Sequence, residues 1–178
     1  VQASSSVSSQ RFGEESTAIG LRTLSVKMEE IKGRKGETRF GLRLEGASGN
    51  KVHEIASEGE QRCVALAAFL RELSQASHHS TLVFDDPVSS LDHWHHQRIA
   101  ERLAREAGVR QVIVFTHSTS FLHDLQQAAR DSTVELCILH LEWGDGVPGK
   151  CREGLPWDWK TADERFDKLE KRQREIST

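Results

Sequence analysis

Apolar residues first fall into a regular pattern at Leu24, where Leu24, Val26 and Met28 alternate with polar neighbours, and the alternation returns at Phe40, Leu42 and Leu44. A period of two is that of a half-buried strand. Gly33-Arg34-Lys35-Gly36 lies between the two runs and supplies turn residues, so they read as a hairpin with a basic, solvated tip. The pattern then lengthens. Val64 to Leu70 with Leu73 is apolar and rich in alanine, which favours a buried helix, and Ser57 followed by Glu60 forms a capping box that sets its start. Two short apolar runs follow, Thr81 to Phe84 and Val112 to Phe115, each the length of a buried parallel strand. Between them Asp92 caps a helix that shows Ile99 and Leu103 on one face and stops at Gly108. Strand, helix and strand make a right-handed βαβ unit.

A further helix carries Phe121, Leu122 and Leu125, and Val134 to Leu141 is rich in β formers, predicting another strand of the same sheet. The expected fold is therefore α/β, a parallel sheet preceded by a β-hairpin. Residues 143–160 contain two Gly/Pro-rich stretches and read as loop, with Trp157 and Trp159 on its surface. Thr161 and Glu164 form a second capping box before a charged helix over 161–178. Its acid-to-base pairs at i, i+4 (Glu164 with Lys168, Asp167 with Lys171, Glu170 with Arg174) suit an arm or a docked connector. Residues 1–20 hold five serines in the first ten positions and read as a linker or fragment end, leaving 21–142 as the body of the domain.

Composition narrows the class. With 178 residues, a formal charge of −3 and 37% hydrophobic residues, the chain has the make-up of one soluble domain or one lobe of a larger one. The near-neutral balance argues against a protein that is mainly a basic nucleic-acid clamp, while leaving room for a local basic patch. No apolar run reaches the roughly 18 residues of a membrane span. Cys63, Cys137 and Cys151 are odd in number and unpaired in spacing, which fits a reducing, cytoplasmic setting. The first residue is Val1 and Met28 is the sole methionine, so a fragment is expected.

Ligands of parallel α/β sheets bind beyond the carboxyl ends of the strands, and there the two central strands end in Asp85-Asp86 and Thr116-His117. A carboxylate at such an end can hold a phosphate-bound Mg²⁺, although a strand end turning before Pro87 explains the same pair. Further motifs flank them in order. Ser57-Glu58-Gly59-Glu60-Gln61 precedes the Asp-Asp strand, Ser89-Ser90-Leu91-Asp92 follows it, and Phe115-Thr116-His117 comes last.

This series resembles the signature motif, Walker B strand, D-loop and switch histidine of the C-terminal lobe of an ABC-type ATPase. The wording Asp-Asp-Pro, Ser-Ser-Leu-Asp and Phe-Thr-His-Ser looks most like the SMC-like branch, including SbcC-type nuclease-associated ATPases and RloC-like ATPases of phage defence. The resemblance spans about Val52 to Leu125. It implies a homodimer closed around ATP and Mg²⁺. In it Ser57, Glu58, Gly59, Glu60 and Gln61 would contact the nucleotide of the opposite subunit, and Ser90, Leu91 and Asp92 would form the D-loop. Asp85 would hold Mg²⁺, Asp86 would polarise the attacking water, and His117 would touch the γ-phosphate. It also implies a coupled effector, a nuclease acting on DNA or RNA in phage defence or DNA repair. The chain departs from the usual wording at Ala56 and Glu58 and at Asp86, where a glutamate is usual.

No Gly-x-x-x-x-Gly-Lys-Ser/Thr loop precedes the signature residues. The near match from Gly144 to Cys151 lacks the hydroxyl that binds Mg²⁺, and Gly154 and Pro156 oppose a following helix, so it reads as a connector. The resemblance then requires an upstream Walker A lobe as partner. Two rival readings stand beside it. One is a catalytically weak module that uses ATP only to dimerise. The other is a metal-dependent phosphoesterase built on Asp85, Asp86 and the His93 to His96 cluster. His93, His95 and His96, with His78 and His79 nearby in sequence, are also candidates to collect Zn²⁺ or another metal, with His93 and His96 at i, i+3 on a helix, although no Cys or carboxylate completes a recognised spacing and solvated polar residues explain them as well.

Overall fold

A helix, α1 (Gln2–Ala18), opens the chain, followed by β1 (Val26–Lys32), β2 (Thr38–Leu44), α2 (Glu58–Leu73), β3 (Leu82–Asp85), α3 (His93–Ala107), β4 (Val112–Phe115) and α4 (Thr119–Asp131). The structure, a computed structural model, describes residues 2–21, 26–32, 38–44, 56–144, 146–156, 159–160 and 162–176. It divides into two units, Val1–Val134 and Glu135–Thr178.

In the first unit β1 and β2 are antiparallel, running from Val26 opposite Leu44 to Lys32 opposite Thr38. The expected hairpin strands are there. Leu24 and the turn at 33–36 lie outside the described residues. α2 begins where the capping box places it: Ser57 Oγ accepts from Glu60 N–H at 3.3 Å, and Ser57 N–H donates to Glu60 Oε2 at 2.9 Å. β3 and β4 pair in parallel, with Leu82 opposite Val112 and Asp85 opposite Phe115. Leu82 and Phe84 turn inward to a core made with Cys63, Val64, Leu70, Ile99, Leu103 and Phe121. By the alternation of a strand, Val83, Ile113 and Phe115 occupy the opposite face, where all three are exposed.

The linker expected over 1–20 is not what forms. Serine lowers helix propensity only modestly, and here tertiary packing overrides it. Phe12, Ile19 and Leu21 are buried in the same core as α2. α1 gives way to a turn at Gly20, whose φ is +88° and whose Cβ position would lie 2.2 Å from the Trp94 ring. An ion-pair network fastens the helix to α3: Arg102 donates to Glu15 Oε2 at 2.7 Å and Oε1 at 2.9 Å, and to Glu106 at 2.9 Å. Burial works against the Arg102 charge, yet its bonds to the two glutamates raise its pKa further.

The second unit corrects two expectations. Val134 to Leu141 adds no strand to the β3–β4 sheet; instead β5 (Leu139–Gly144) pairs antiparallel with β6 (Val147–Glu153). The stretch 143–160 is therefore partly strand. The reason is local: Leu139, Leu141 and Trp143 alternate with His140 and Glu142, and the hairpin closes where Gly144 pairs with Val147. α5 (Ala162–Ile176) follows, with Phe166, Leu169 and Ile176 exposed and Arg174 bonded to Glu170 at 3.1 Å. Thr161, the expected cap, and Trp157 lie outside the described residues. Among the described residues no helix is long and apolar enough to cross a membrane.

Candidate functional site

The parallel register brings the carboxyl ends of β3 and β4 side by side, so the residues just beyond them meet. Asp86 N–H donates to the Phe115 carbonyl at 2.8 Å, which extends the pairing by one bond past the strand. At that point the Asp86 backbone turns to φ +45°, a left-handed value that a side chain disfavours by about 1–2 kcal/mol. Two contacts hold it there. Thr116 Oγ1 donates to Asp86 Oδ1 at 3.2 Å, and His117 Nδ1 stands 3.1 Å from Asp86 Oδ2. The same Thr116 Oγ1 accepts from Ser118 N–H at 3.1 Å, and Ser118 then caps α4. Asp85 is exposed beside this cluster, and the His117 ring is 87% exposed, so both face outward where a charged ligand could reach them. An open groove of about 370 Å³ runs from these acids along α2, lined by Arg62, Phe69 and Val83 among others.

The loop after Asp86 places the next set. Ser89 N–H bonds to the Asp86 carbonyl, Val88 is buried, and Ser90 takes a φ of +66°. Asp92 then caps α3, its Oδ1 accepting from His95 N–H at 3.0 Å and lying 2.8 Å from His95 Nδ1. The His95 backbone bond, with help from the ring, holds the Asp92 carboxyl below its ordinary pKa.

The signature residues stand beside this loop. A Cβ at Gly59 would lie 2.9 Å from the Ser90 carbonyl oxygen and 3.0 Å from Leu91 Cδ2, so only glycine lets the first turn of α2 approach this closely. Gln61 reaches back to the Ala56 carbonyl at 2.8 Å, and Glu58 pairs with Arg62 at 3.0 Å. The expected site residues thus form two groups within the chain. Asp86 and His117 meet directly, with Asp85 adjacent, while Gly59 in the first turn of α2 stands against Ser90 and Leu91.

Thr116 bonds Asp86 directly, a contact that the motif resemblance assigns to no residue. Its signal in the sequence is its place, immediately before His117 at the end of the strand neighbouring the acids. The histidines take a different partner from the one the phosphoesterase reading requires. His93 and His96 are joined by Asp124 of α4, and neither Asp85 nor Asp86 belongs to that group. Gly144 to Cys151 lies in the β5–β6 hairpin and is followed by strand, so no helix N-terminus stands behind it.

With this geometry in place, residues 8–141, more than half of the chain, match the family described as AAA domain. The chain belongs to that family. Among curated proteins, this AAA domain is 32% identical over 108 residues to a putative ABC transporter ATP-binding protein of Nitratidesulfovibrio vulgaris. That match covers 61% of the chain and 37% of the relative, so the chain spans little more than a third of that relative's length. Its fold is that of solved SMC ATPase heads. A structure concerned with ATP-driven dimerization and DNA-stimulated activation of SMC ATPases superposes with a TM-score of 0.62 at 18% identity, covering 97% of this chain and 94% of that one. An Smc head bound to the C-winged helix domain of ScpA gives a TM-score of 0.65 at 18% identity, covering 88% and 45%.

Proposed function

We propose that this ATPase-family domain is the C-terminal lobe of an SMC-like ABC ATPase that closes with a second copy around ATP and Mg²⁺. One observation carries the reading: Asp86 is fixed at the end of β3 by Thr116 and His117 from the neighbouring strand, with Asp85 exposed beside it. Those donors fit a magnesium nucleotide. Asp85 is a free-facing carboxylate of the type that holds Mg²⁺ through its water shell, and the metal's contribution is to neutralise charge on the phosphates. Asp86 accepts a proton from, or orients, the attacking water, and His117 fixes the orientation of the Asp86 carboxylate while its exposed ring meets the terminal phosphate. Ser57 and Gly59 present the start of α2 to the nucleotide of the opposite copy, and Asp92 holds the loop beside them.

The partner lobe is inferred from the sheet. A parallel sheet is ordinarily covered on both faces, and Val83, Ile113 and Phe115 leave one apolar face of β3–β4 open. An upstream lobe carrying the phosphate loop is the occupant this reading supplies, and it agrees with the fraction of the curated relative that the chain spans. The wording of the motifs supports the SbcC/RloC-like branch, and with it a coupled nuclease acting on DNA or RNA in phage defence or DNA repair.

The test is ATP binding and turnover by the protein joined to its upstream lobe, with and without Asp86→Asn. Binding should persist in the variant while turnover falls by about 10²–10⁴-fold, the usual contribution of a positioned acid or base. Undiminished turnover would remove Asp86 from the mechanism. ATP binding and dimerisation without turnover in the unsubstituted protein would leave the weak dimerisation module as the function.

A further inference from the structure

His93 and His96 stand one turn apart at the start of α3, and Asp124 comes from the first half of α4. One ligand-type atom of each lies within 4.8 Å of the other two. None of the hydrogen bonds that orient these groups satisfies them all. Asp124 Oδ2 is buried without a hydrogen-bond partner, on a side chain only 10% exposed; the nearest cationic candidate, His93 Nδ1, is 3.7 Å away. His96 Nε2 lies 3.2 Å from the Leu91 carbonyl oxygen. A carbonyl only accepts, so Nε2 carries the proton and Nδ1 is a bare lone pair. That Nδ1 is also buried without a partner. The ring itself is held edge-on against Phe121, at 5.7 Å between centroids.

Asp124 Oδ2 and His96 Nδ1 are each buried without a hydrogen-bond partner, a cost that a cation bound at the cluster would relieve. The chemistry of the set selects the kind. Two imidazoles and a carboxylate suit a borderline divalent transition ion and not Ca²⁺ or Mg²⁺, which take oxygen ligands. The bond from His96 Nε2–H to a backbone carbonyl is the outer contact that usually orients a metal-bound imidazole. His93, 75% exposed, leaves the fourth position open to water and can swing inward. Ligand atoms around an ion at about 2.0–2.1 Å sit about 3.4 Å apart, inside the 4.8 Å that bounds this cluster, so binding would draw the three side chains together, the exposed His93 most freely.

We propose that His93, His96 and Asp124 bind one divalent transition metal of the zinc class, tying the start of α3 to α4. The site is independent of the nucleotide reading, since Asp85, Asp86 and His117 take no part in it. It would, however, anchor the helix that the 90–92 loop leads into, because His96 holds the Leu91 carbonyl.

The experiment uses the chelator-stripped protein in a Cys137→Ser, Cys151→Ser background, which removes two exposed thiols as competing ligands. Zn²⁺ is titrated by calorimetry and Co²⁺ by its visible absorption. One ion per chain should bind, with the absorption of a four- or five-coordinate Co²⁺. His93→Ala and the near-isosteric Asp124→Asn, both checked for native circular dichroism, should each weaken Zn²⁺ binding at least about tenfold. A His78→Ala, His79→Ala variant should bind unchanged. The proposal is overturned if Zn²⁺ shows no saturable binding, if both site variants keep full affinity, or if binding disappears with His78 and His79 instead.

Discussion

Replacing Gly59 by alanine sets two effects against each other, and the geometry decides their sum. Gly59 lies in the first turn of α2, so alanine should gain helix propensity, at most about 0.8–1 kcal/mol. Against that, the new methyl would meet the Ser90 carbonyl at 2.9 Å and Leu91 Cδ2 at 3.0 Å. Leu91 is a flexible end that can move, but Ser90 is backbone already at φ +66° and has little room to yield. Overpacking of this kind costs about 1–3 kcal/mol, so Gly59→Ala should fail to stabilise and should destabilise by up to about 2 kcal/mol net. Gly13 is the internal control. It sits within α1 with nothing inside 4 Å of its Cβ position, so Gly13→Ala should stabilise by about 0.5–1 kcal/mol. Urea denaturation of the two variants should therefore shift in opposite directions, with Tm changes of about 2–4 °C per kcal/mol for a chain of this size. If Gly59→Ala stabilises as Gly13→Ala does, the signature turn does not touch the 90–91 loop, and the grouping of site residues argued above fails.

Phe12→Ala should cost about 3–5 kcal/mol, the range for a fully buried aromatic; a loss under about 1 kcal/mol in the same denaturation assay would mean that α1 is undocked. Cys63 is enclosed in the core and burial pushes its thiol up to about 11, with the charges of Asp92 and Glu60 adding to the effect. A thiol reagent at pH 8 should modify Cys137 and Cys151 quickly and Cys63 only in urea. Because the folded value exceeds the unfolded one, the Cys63 contribution to stability is complete below about pH 8.5 and declines as pH rises from there towards 11. A Cys63→Ala variant should lose that alkaline decline; its persistence would assign the slope to other groups.

What could be read from the amino acids was what is decided within a few residues. The Ser57–Glu60 box, the apolar run before Asp85 and the cap at Asp92 all rest on short-range geometry, and all three stand where expected. The parallel pairing of β3 with β4 followed from the same local signals, since a helix of ordinary length joins them. α1 was not legible, because serine content speaks to propensity while Phe12 and Ile19 act through partners far along the chain. Asp124 escaped for the same reason: nothing near it in sequence marks it as a companion of His93 and His96. The β5–β6 hairpin was hidden by its glycines and proline, which signal a turn without saying that strands flank it.

The bond between Glu15 and Arg102 spans 87 residues, and that separation has a temporal meaning during synthesis. At the usual about 5–20 residues per second, α1 emerges from the ribosome roughly 4–17 seconds before the arginine that will clamp it. Through that interval Phe12 and Ile19 have no complete core to enter. The serines around them suit a segment that must wait in water without sticking to its neighbours, and the composition that reads as a linker is the one that a late-docking helix needs.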